Sequence, residues 1–487
     1  MPTQSIHKVA PGPAPIPVLG NALTFGKDPR LALMQWAKEY GPLVRFRLGP
    51  MLAHSVAHPD AVKHILHDNN DNYKKAPRMA FLSDFLGQSL LTMEGNTWQR
   101  RRRLAQPAFA RERLGELSRM MADCAQDLVA RLQTHVEKGQ PFDVAAEMTG
   151  MTLRVAGQTL FGVDLGTSTT DVGRALPIIL AHILGRLNAV IPMPLWLPTP
   201  ANRRYHAAVR GLDELVFGLI RSFRSRRMEP TGLMAMLMSA RDQDTGEGLT
   251  DEELRDEMMT LIFAGHETTA SALSWTFWLL AQHPEAVRRI REEVFAACSA
   301  RPPSGEDLPA LRYTQNAVKE AMRLMPPSWG IARMPIADDE IDGCQIPAGS
   351  LVILAACVTH RDPVSWENPD AFDPDRFSPE RSAQRHRMAY YPFSGGQRVC
   401  IGSHFSMMEA TLIVAALMQR YDLRLDPARP VQIETSMTLR PKGGLWMTLH
   451  SAPSRTTSVE RSRAPETAGI AESLNRYVSH SVEAGGG

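Results

Sequence analysis

The stretch 393–402 combines one cysteine with three glycines in a short polar loop, Phe-Ser-Gly-Gly-Gln-Arg-Val-Cys-Ile-Gly, that runs directly into an apolar helical stretch. A cysteine thiolate is a soft, electron-rich metal ligand, and glycines let backbone N–H groups come close to its sulfur and tune the metal. Most lone cysteines are instead small buried apolar residues. The loop therefore predicts a metal–thiolate site at Cys400, with a buried structural cysteine as the alternative.

A second stretch with residues suited to chemistry lies inside a long helix predicted at 250–283. Thr250 with Glu253 three residues later is a capping-box pattern at its start, and Pro284 follows its end. Inside it, the run 264–269 (Ala-Gly-His-Glu-Thr-Thr) interrupts an apolar face with an acid and an alcohol. Glycine costs about 1 kcal/mol against alanine in a helix, and threonine can bond back to the preceding turn, so we expect local unwinding here. A Thr-rich helix packed in the core is the alternative.

Two further pairs of residues share a helical face. Glu320 and Arg323 are three residues apart, and Trp98 and Arg102 are four apart. An indole N–H and a guanidinium can both donate to one carboxylate. Neither pair decides anything alone, because exposed ion pairs are common and weak and the charge run 100–103 is typical of a solvated surface.

The cysteine loop resembles the heme-ligand signature of the cytochrome P450 monooxygenases, Phe-x-x-Gly-x-Arg-x-Cys-x-Gly, whose fixed positions are Phe393, Gly396, Arg398, Cys400 and Gly402 here. The resemblance covers roughly 11–450, and the motifs stand in the family's order. It implies heme b (iron protoporphyrin IX) as cofactor, with Cys400 as the axial ligand of the heme iron. It also implies the mainly α cytochrome P450 fold, a large helical domain with a small β-containing lobe.

The same resemblance implies roles for residues outside the loop. The run 264–269 is similar to the family's oxygen-binding groove, with Ala264 and Gly265 beside the heme. Glu267 and Thr268 correspond to the catalytic acid–alcohol pair that delivers protons for cleavage of the O–O bond without flooding the pocket with water. The heme propionates are expected to meet Trp98, Arg102, Arg398 and Arg333. A structural ion-pair network under the heme is expected from Glu320, Arg323 and Arg376.

The elements that must position these residues form a small β-containing lobe at about 11–60 and a large helical part. A short helix is predicted at 28–40 and a strand pair at 43–48 and 51–57. Long helices are predicted at 111–137, 145–161, 202–227, 250–283, 285–298, 313–325 and 404–420. We expect one domain over 11–450, a flexible N-terminus at 1–10 and a disordered tail at 451–487.

The composition is that of an ordinary globular protein, since 44% of the 487 residues are hydrophobic, 22% are charged and the formal net charge is +2. Nothing in it suggests a nucleic-acid partner. The N-terminal stretch has no apolar run long enough for a signal peptide or a membrane anchor. The five cysteines lack metal-type spacing, so we expect reduced thiols and no zinc site. These features predict a cytoplasmic monomer.

By resemblance, the substrate pocket is lined by the segments 78–94, 176–198, 261–269, 329–331 and 436–439. Charged anchors are scarce in them. The apolar residues are Met79, Phe81, Leu82, Phe85, Leu86, Leu90 and Leu91, then Ile178, Ile179, Leu180, Ile183, Leu184, Val190 and Ile191. Such a pocket suits a hydrophobic small molecule held mainly by burial, so we expect a terpenoid, a steroid or a fatty acid.

The resemblance implies dioxygen as cosubstrate and electrons from a ferredoxin or flavodoxin with an NAD(P)H-dependent reductase. The tail after 450 is too short and polar for a fused reductase domain. An acidic carrier is expected to dock on a cationic patch over the cysteine side of the heme, with plain solvent-facing charges as the alternative. The candidates for that patch are Arg100, Arg101, Arg103, Arg385, His386 and Arg387.

Three alternatives to a monooxygenase remain open. A peroxide-dependent relative usually carries Arg-Pro in place of the acid–alcohol pair, which this chain does not. A non-oxidising isomerase or dehydratase on the same heme fold would differ in its need for NAD(P)H and oxygen. A non-catalytic heme-binding protein is disfavoured by the retained pair of Glu267 and Thr268.

Overall fold

The computed structural model describes residues 8–452, apart from 111, 166–170, 190–191, 226 and 228–231. Residues 1–7 of the predicted flexible N-terminus (1–10) and residues 453–487 of the predicted tail (451–487) therefore lie outside the described residues, as do Val190 and Ile191 of the predicted pocket. Lys8 bonds through its backbone to Gly343 and Gln345 at 3.1 Å each, which fastens the chain at this point.

Helices make up most of the described chain. They are α1 (Ala22–Lys27), α2 (Pro29–Tyr40), α3 (Pro59–Lys63), α4 (Ser83–Leu86), α5 (Gly95–Ala105), α6 (Leu114–Lys138), α7 (Val144–Phe161), α8 (Asp171–Asn188), α9 (Pro200–Arg224), α10 (Gly232–Ser239), α11 (Asp251–Leu280), α12 (Pro284–Cys298), α13 (Arg312–Leu324), α14 (Ala356–Thr359), α15 (Pro379–Ser382) and α16 (Ser403–Arg420). The strands are β1 (Leu43–Leu48), β2 (Met51–Val56), β3 (Tyr73–Lys75), β4 (Phe142–Asp143), β5 (Ile331–Pro335), β6 (Asp339–Ile341), β7 (Cys344–Ile346), β8 (Leu351–Leu354), β9 (Tyr421–Leu425), β10 (Gln432–Thr435), β11 (Leu439–Lys442) and β12 (Trp446–Ser451).

A five-stranded sheet in the order β1-β2-β8-β5-β3 forms the small β-containing lobe. Strands β2 and β8 run parallel, and the other neighbours run antiparallel. The register sets Arg333 of β5 opposite Lys75 of β3. Directly opposite residues of an antiparallel pair project from the same face, so the sheet holds these two cations side by side.

Helix α11 runs for 30 residues and packs against α7, α9, α13 and α16. Its predicted capping box is confirmed. The Thr250 hydroxyl accepts from the Glu253 N–H at 3.2 Å, and the Glu253 carboxylate accepts from the Thr250 N–H at 3.0 Å. These two bonds satisfy N–H groups that have no partner within the helix and fix where α11 begins.

The predicted unwinding at 264–269 is wrong, because α11 is continuous through this run. The Thr268 hydroxyl does bond back to the Ala264 carbonyl oxygen, at 2.7 Å, but the helix stays regular around it. From α7, the Thr152 hydroxyl donates to the His266 carbonyl oxygen at 2.8 Å. Packing against neighbouring helices therefore keeps the run 264–269 helical, although its residue types alone would also allow unwinding.

The other predicted helices and strands are confirmed, with ends within three residues of the predicted ones. Helix α8 was missed: its sequence was treated only as a variable pocket segment, and Pro177 lies inside the helix, where it removes a hydrogen-bond donor. The short helices α4 and α10 were also missed. Their four and eight residues are too few to show a clear helical period.

Candidate active site

The cysteine loop at 393–402 contains a 3₁₀ turn, Gly396–Arg398, and ends where α16 begins. All five cysteines are free, and Cys400 is exposed whereas the other four are buried. A β-carbon at Gly396, where φ is 64°, would collide with the Leu66 carbonyl oxygen, so this close approach requires glycine. The backbone N–H of Cys400 donates to the Phe393 carbonyl oxygen at 2.9 Å. The alternative of a buried structural cysteine is therefore wrong for Cys400.

The surroundings of the Cys400 sulfur act on its charge in opposite directions. Enclosure by the protein raises the pKa of the thiol, while the amide of Gly402 and the charge of Arg102 lower it. The amide and the cation both stabilise a thiolate. A bound metal cation would add to these two effects, because a coordinating thiol is deprotonated outright.

Two of the predicted propionate partners lie beside the loop on α5. Arg102 donates to the Val399 carbonyl oxygen at 3.0 Å, and the Arg398 guanidinium stacks on the Trp98 ring with 3.8 Å to its centroid. Arg398 also pairs with Glu94. The structure thus brings Trp98, Arg102 and Arg398 together at one edge of the cysteine loop.

Arg333 is 8% exposed, and within the described residues its side chain bonds only to the Ala332 carbonyl oxygen, at 3.0 Å. Burial, followed by the positive charge of Arg398, lowers its pKa to about 10. Arg102 likewise has no carboxylate within 4 Å among the described residues. Arg333 is buried and Arg102 is half-buried, and guanidinium groups withdrawn from water are usually paired, so these two fit an anionic group that the described residues do not supply. Heme propionates have the required charge.

The proton-relay candidates on α11 face different partners. The Thr268 side chain is exposed and bonds to Ala264. The Glu267 carboxylate accepts from the Thr438 hydroxyl at 2.8 Å, in the turn before β11, and lies 3.9 Å from Arg440. In this arrangement the acid and the alcohol are neighbours in sequence but do not bond to each other. Gly265 leaves open space beside the helix, since a β-carbon there would meet no atom within 4 Å.

The ion-pair network expected under the cofactor is present as a buried unit. Glu320 accepts from Arg323 at 2.7 and 2.8 Å and from Arg376 at 3.1 Å, and these side chains are at most 3% exposed. Arg323 also donates to the carbonyl oxygens of His360, Pro369 and Ala371. The side chains of Glu320 and Arg323 thus join α13 to backbone and side-chain groups of the stretch 360–376.

The cationic patch expected for a redox carrier is wrong for Arg101, which is buried, and several other members are paired or stacked. Arg101 is 3% exposed and paired with Glu253 at 2.7 Å and Glu257 at 3.0 Å. Arg103 pairs with Asp244 at 2.9 Å. Arg100 also pairs with Glu253, and Arg385 stacks on Trp366 and bonds to the Arg376 carbonyl oxygen. Acids of α11 and of the segment before it thus pair with Arg100, Arg101 and Arg103. These acids lie 141–156 residues away in sequence but next to α5 in space.

Sequence reasoning missed several buried charged groups near the site. Lys75 donates to the carbonyl oxygens of Leu91 at 2.6 Å and Met93 at 3.2 Å, and burial lowers its pKa to about 7. Glu409 of α16 is 1% exposed, and burial raises its pKa well above the usual range. A single acid within an apolar helical stretch was the signal available for Glu409. Lys75 gave none, because its partners are backbone carbonyls.

A family model described as Cytochrome P450 matches residues 10–447. Cyclooctatin synthase from Streptomyces melanosporofaciens is 35% identical over 438 residues, which are 89% of this chain and 93% of that protein. Cyclooctat-9-en-7-ol 5-monooxygenase from the same organism is 34% identical, over 85% of this chain and 89% of that protein. Pentalenene oxygenase from Streptomyces avermitilis is 32% identical, over 88% and 96%.

Among solved structures, the heme domain of cytochrome P450DA superposes with a TM-score of 0.84 at 26% identity, covering 92% of this chain and 99% of that one. In the part of the chain that the structure describes, no helix is long and apolar enough to cross a membrane. The matching family model spans nearly the whole described chain and includes the cysteine loop. The protein therefore belongs to the cytochrome P450 family, and it is a heme-thiolate oxidoreductase of the monooxygenase type.

Proposed function

We propose that this enzyme inserts one oxygen atom from dioxygen into a hydrophobic terpenoid, with the second oxygen atom leaving as water. The observation that carries the proposal is the exposed Cys400 in a glycine-dependent loop, together with the half-buried Arg102 beside it and the buried Arg333, neither of which has a carboxylate within 4 Å among the described residues. Relatives named for oxygenation of cyclooctatin-type and pentalenene substrates support the terpenoid class.

The cofactor we propose is heme b. Cys400 would bind its iron, and Arg102, Arg333, Arg398 and Trp98 would hold its propionates. Bound heme would supply the activation of dioxygen and the transfer of one oxygen atom to a substrate C–H bond. The surrounding residues determine where protons enter and how water is kept out.

Thr268 Oγ1 is proposed to hand a proton into the groove. Its bond to the Ala264 carbonyl oxygen keeps the hydroxyl on the helix surface that Gly265 leaves open. Glu267 is proposed to take up the replacement proton from solvent on its carboxylate, which the Thr438 hydroxyl holds at 2.8 Å, and to pass it to Thr268 as the carboxylic acid. For this transfer the Glu267 side chain has to turn away from Thr438 and toward Thr268. Such a turn is a change of rotamer in a partly buried residue.

The apolar pocket is proposed to bind its substrate mainly by burial. Phe85 meets Phe263 edge-on with ring centroids 5.9 Å apart, directly before the groove residue Ala264. Leu82, Leu86, Ile179 and Ile183 are also buried in the same core cluster. A cyclic hydrocarbon skeleton matches such a lining, whereas a sugar or nucleotide would leave its polar groups unpaired.

We propose a separate ferredoxin or flavodoxin with an NAD(P)H-dependent reductase as the electron source, and a monomeric protein in the cytoplasm. Since Arg101 and Arg103 are engaged with acids, a carrier cannot rely on them. Arg103, His386 and Arg387 are the exposed members of the earlier patch, and among the described residues only Arg387 of these three has no carboxylate within 4 Å, so it is the first candidate for a docking contact.

The test is an optical titration of heme-loaded protein with cyclic diterpenes, sesquiterpenes, steroids and fatty acids, followed by turnover of the binders. We expect a substrate-induced spectral shift with terpenes and product formation that requires dioxygen, NAD(P)H and the redox chain. Turnover without dioxygen would point to an isomerase or dehydratase. Turnover with peroxide alone, at the rate seen with dioxygen and the redox chain, would point to a peroxide-dependent enzyme. Binding without any turnover would point to a non-catalytic heme-binding protein. Preference for steroids or fatty acids would overturn the substrate class only.

A further inference from the structure

The segment 87–94, between α4 and α5, has no regular secondary structure, and side chains of α11 bond its backbone. The N–H of Gln88 donates to the Asp256 carboxylate at 2.7 Å. The N–H of Leu90 donates to the Glu257 carboxylate at 3.0 Å. Two consecutive acids of one helix thus bind two backbone N–H groups of the segment.

Arg101 and Glu257 form a buried ion pair behind this segment. Their side chains are 3% and 1% exposed, and Arg101 Nη1 lies 3.0 Å from Glu257 Oε1. Arg101 also donates to the Gln88 carbonyl oxygen at 3.2 Å and to the Glu253 carboxylate at 2.7 Å. A guanidinium carries five N–H donors in a fixed plane, so one side chain can serve all these acceptors where a lysine cannot.

The other end of the segment is attached to the β-containing lobe and the cysteine loop. Lys75 donates to the carbonyl oxygens of Leu91 and Met93, and Arg398 donates to that of Met93 at 3.0 Å. The segment therefore bridges α11, β3 and the cysteine loop through charged side chains.

The segment also lies very close to α11. Gly87 has a φ of 57°, and a β-carbon at this position would collide with the Asp256 carboxylate. Directly before it, Phe85 touches Phe263, which precedes the groove residue Ala264. A shift of the segment away from α11 would thus open the wall next to the groove.

We propose that Arg101 and Glu257 are positioning residues that hold the 87–94 segment against α11 and so set this wall of the substrate pocket. The link to substrate rests on the proposed function, whereas the attachment of the segment does not. Without the pair, the amide of Leu90 and the carbonyl of Gln88 lose their partners and the segment moves outward. Hydrophobic substrate then binds more weakly, and water reaches the groove, so more of the electrons end in free hydrogen peroxide.

The test compares Glu257→Gln, Arg101→Lys and the double variant Arg101→Met/Glu257→Leu in heme-loaded protein. The double variant avoids an unpaired buried charge and can fold where a single truncation fails, yet it cannot bond the segment. Hydrogen–deuterium exchange of peptides covering 87–94 should become about tenfold faster in it, while peptides of α7 and α16 keep their protection. Arg103→Gln is the matched control, because Arg103 is 54% exposed on the same helix and does not bond to the segment.

Spectral dissociation constants and the ratio of product to NAD(P)H consumed give the second measurement. We expect weaker binding and a lower ratio in the double variant and Arg101→Lys, a smaller effect in Glu257→Gln and none in Arg103→Gln. Unchanged exchange at 87–94 in the folded double variant would overturn the proposal. Should that variant fail to load heme, unchanged exchange in both single variants would overturn it equally. If exchange at 87–94 is faster in the double variant but the wild type binds no hydrophobic ligand, the result would instead count against the proposed substrate class.

Discussion

Arg323→Ala should remove most of the protein's stability, because Arg323 serves five acceptors in a site without water access. Two are the Glu320 oxygens, at 2.7 and 2.8 Å, and three are the carbonyl oxygens of His360, Pro369 and Ala371, at 2.6–3.0 Å. Removing one partner of a buried ion pair costs about 3–5 kcal/mol, and each unpaired buried carbonyl adds about 1 kcal/mol or more. The sum approaches the total stability of a typical domain, about 5–15 kcal/mol.

Arg376 moderates this loss, since it still pairs with Glu320 at 3.1 Å when Arg323 is gone. We therefore expect Arg323→Ala to be recovered largely heme-free or aggregated. Arg323→Lys keeps the charge but not the planar set of donors, and it should fold with a loss of about 1–3 kcal/mol.

The assay combines heme content per protein with urea unfolding followed by circular dichroism. Arg381→Ala is the matched control, because Arg381 also pairs with an acid of this region, Asp373 at 2.7 Å, but is 42% exposed. Its loss should stay below about 1 kcal/mol. A heme-loaded Arg323→Ala protein as stable as Arg381→Ala would refute the reasoning that the buried network supports the fold.

Three further outcomes follow from the site and the core. Cys400→His should still bind some heme but lose the strongly red-shifted carbonmonoxy band of the ferrous protein; an unchanged band would exclude Cys400 as the ligand. Thr268→Ala should keep consuming NAD(P)H while hydrogen peroxide replaces much of the product, and an unchanged ratio of product to NAD(P)H would exclude Thr268 from proton delivery. Burial and the charge of Arg45 lower the pKa of His54 to about 4, so neutral His54 contributes stability above pH 6.5 that is lost as pH falls. Between pH 7.5 and pH 5 the wild type should lose about 2 kcal/mol of unfolding free energy through this residue. His54→Leu should lose about 2 kcal/mol less than the wild type over the same range, measured by urea unfolding at the two pH values. Equal pH dependence in both proteins would contradict this prediction.

Local patterns were enough to predict most of the helices and the cysteine loop. The capping box at Thr250 and the alternation in β1 and β2 act over a few residues, so the sequence shows them directly. The signature around Cys400 is equally local. Helix α8 is an exception, because proline usually ends a helix. That the helix continues through Pro177 is seen only in the structure.

Charged residues show where sequence reasoning stops. The run 100–103 looks like a solvated surface, yet Arg101 is buried because Glu253 and Glu257 lie beside it in space. Their separation in sequence is too large for any spacing rule. Within the described residues no carboxylate lies within 4 Å of Arg333, and the sequence does not show this until the sheet register has set its neighbours.

Arg101 and Arg102 are consecutive residues of α5 whose side chains point in different directions from the helix. About 100° of helical rotation separates them, so Arg101 bonds to α11 and the 87–94 segment while Arg102 bonds to the cysteine loop at Val399. A rigid helix of 11 residues therefore links the pocket wall to the edge where the propionates would bind. A variant at Arg101 that tilts α5 would also move Trp98 and Arg102, and would then change the heme spectrum without any ligand. Faster hydrogen–deuterium exchange at 87–94, with an unchanged heme spectrum of the ligand-free protein, would show that the segment moves without α5. The positioning role of Arg101 requires this result.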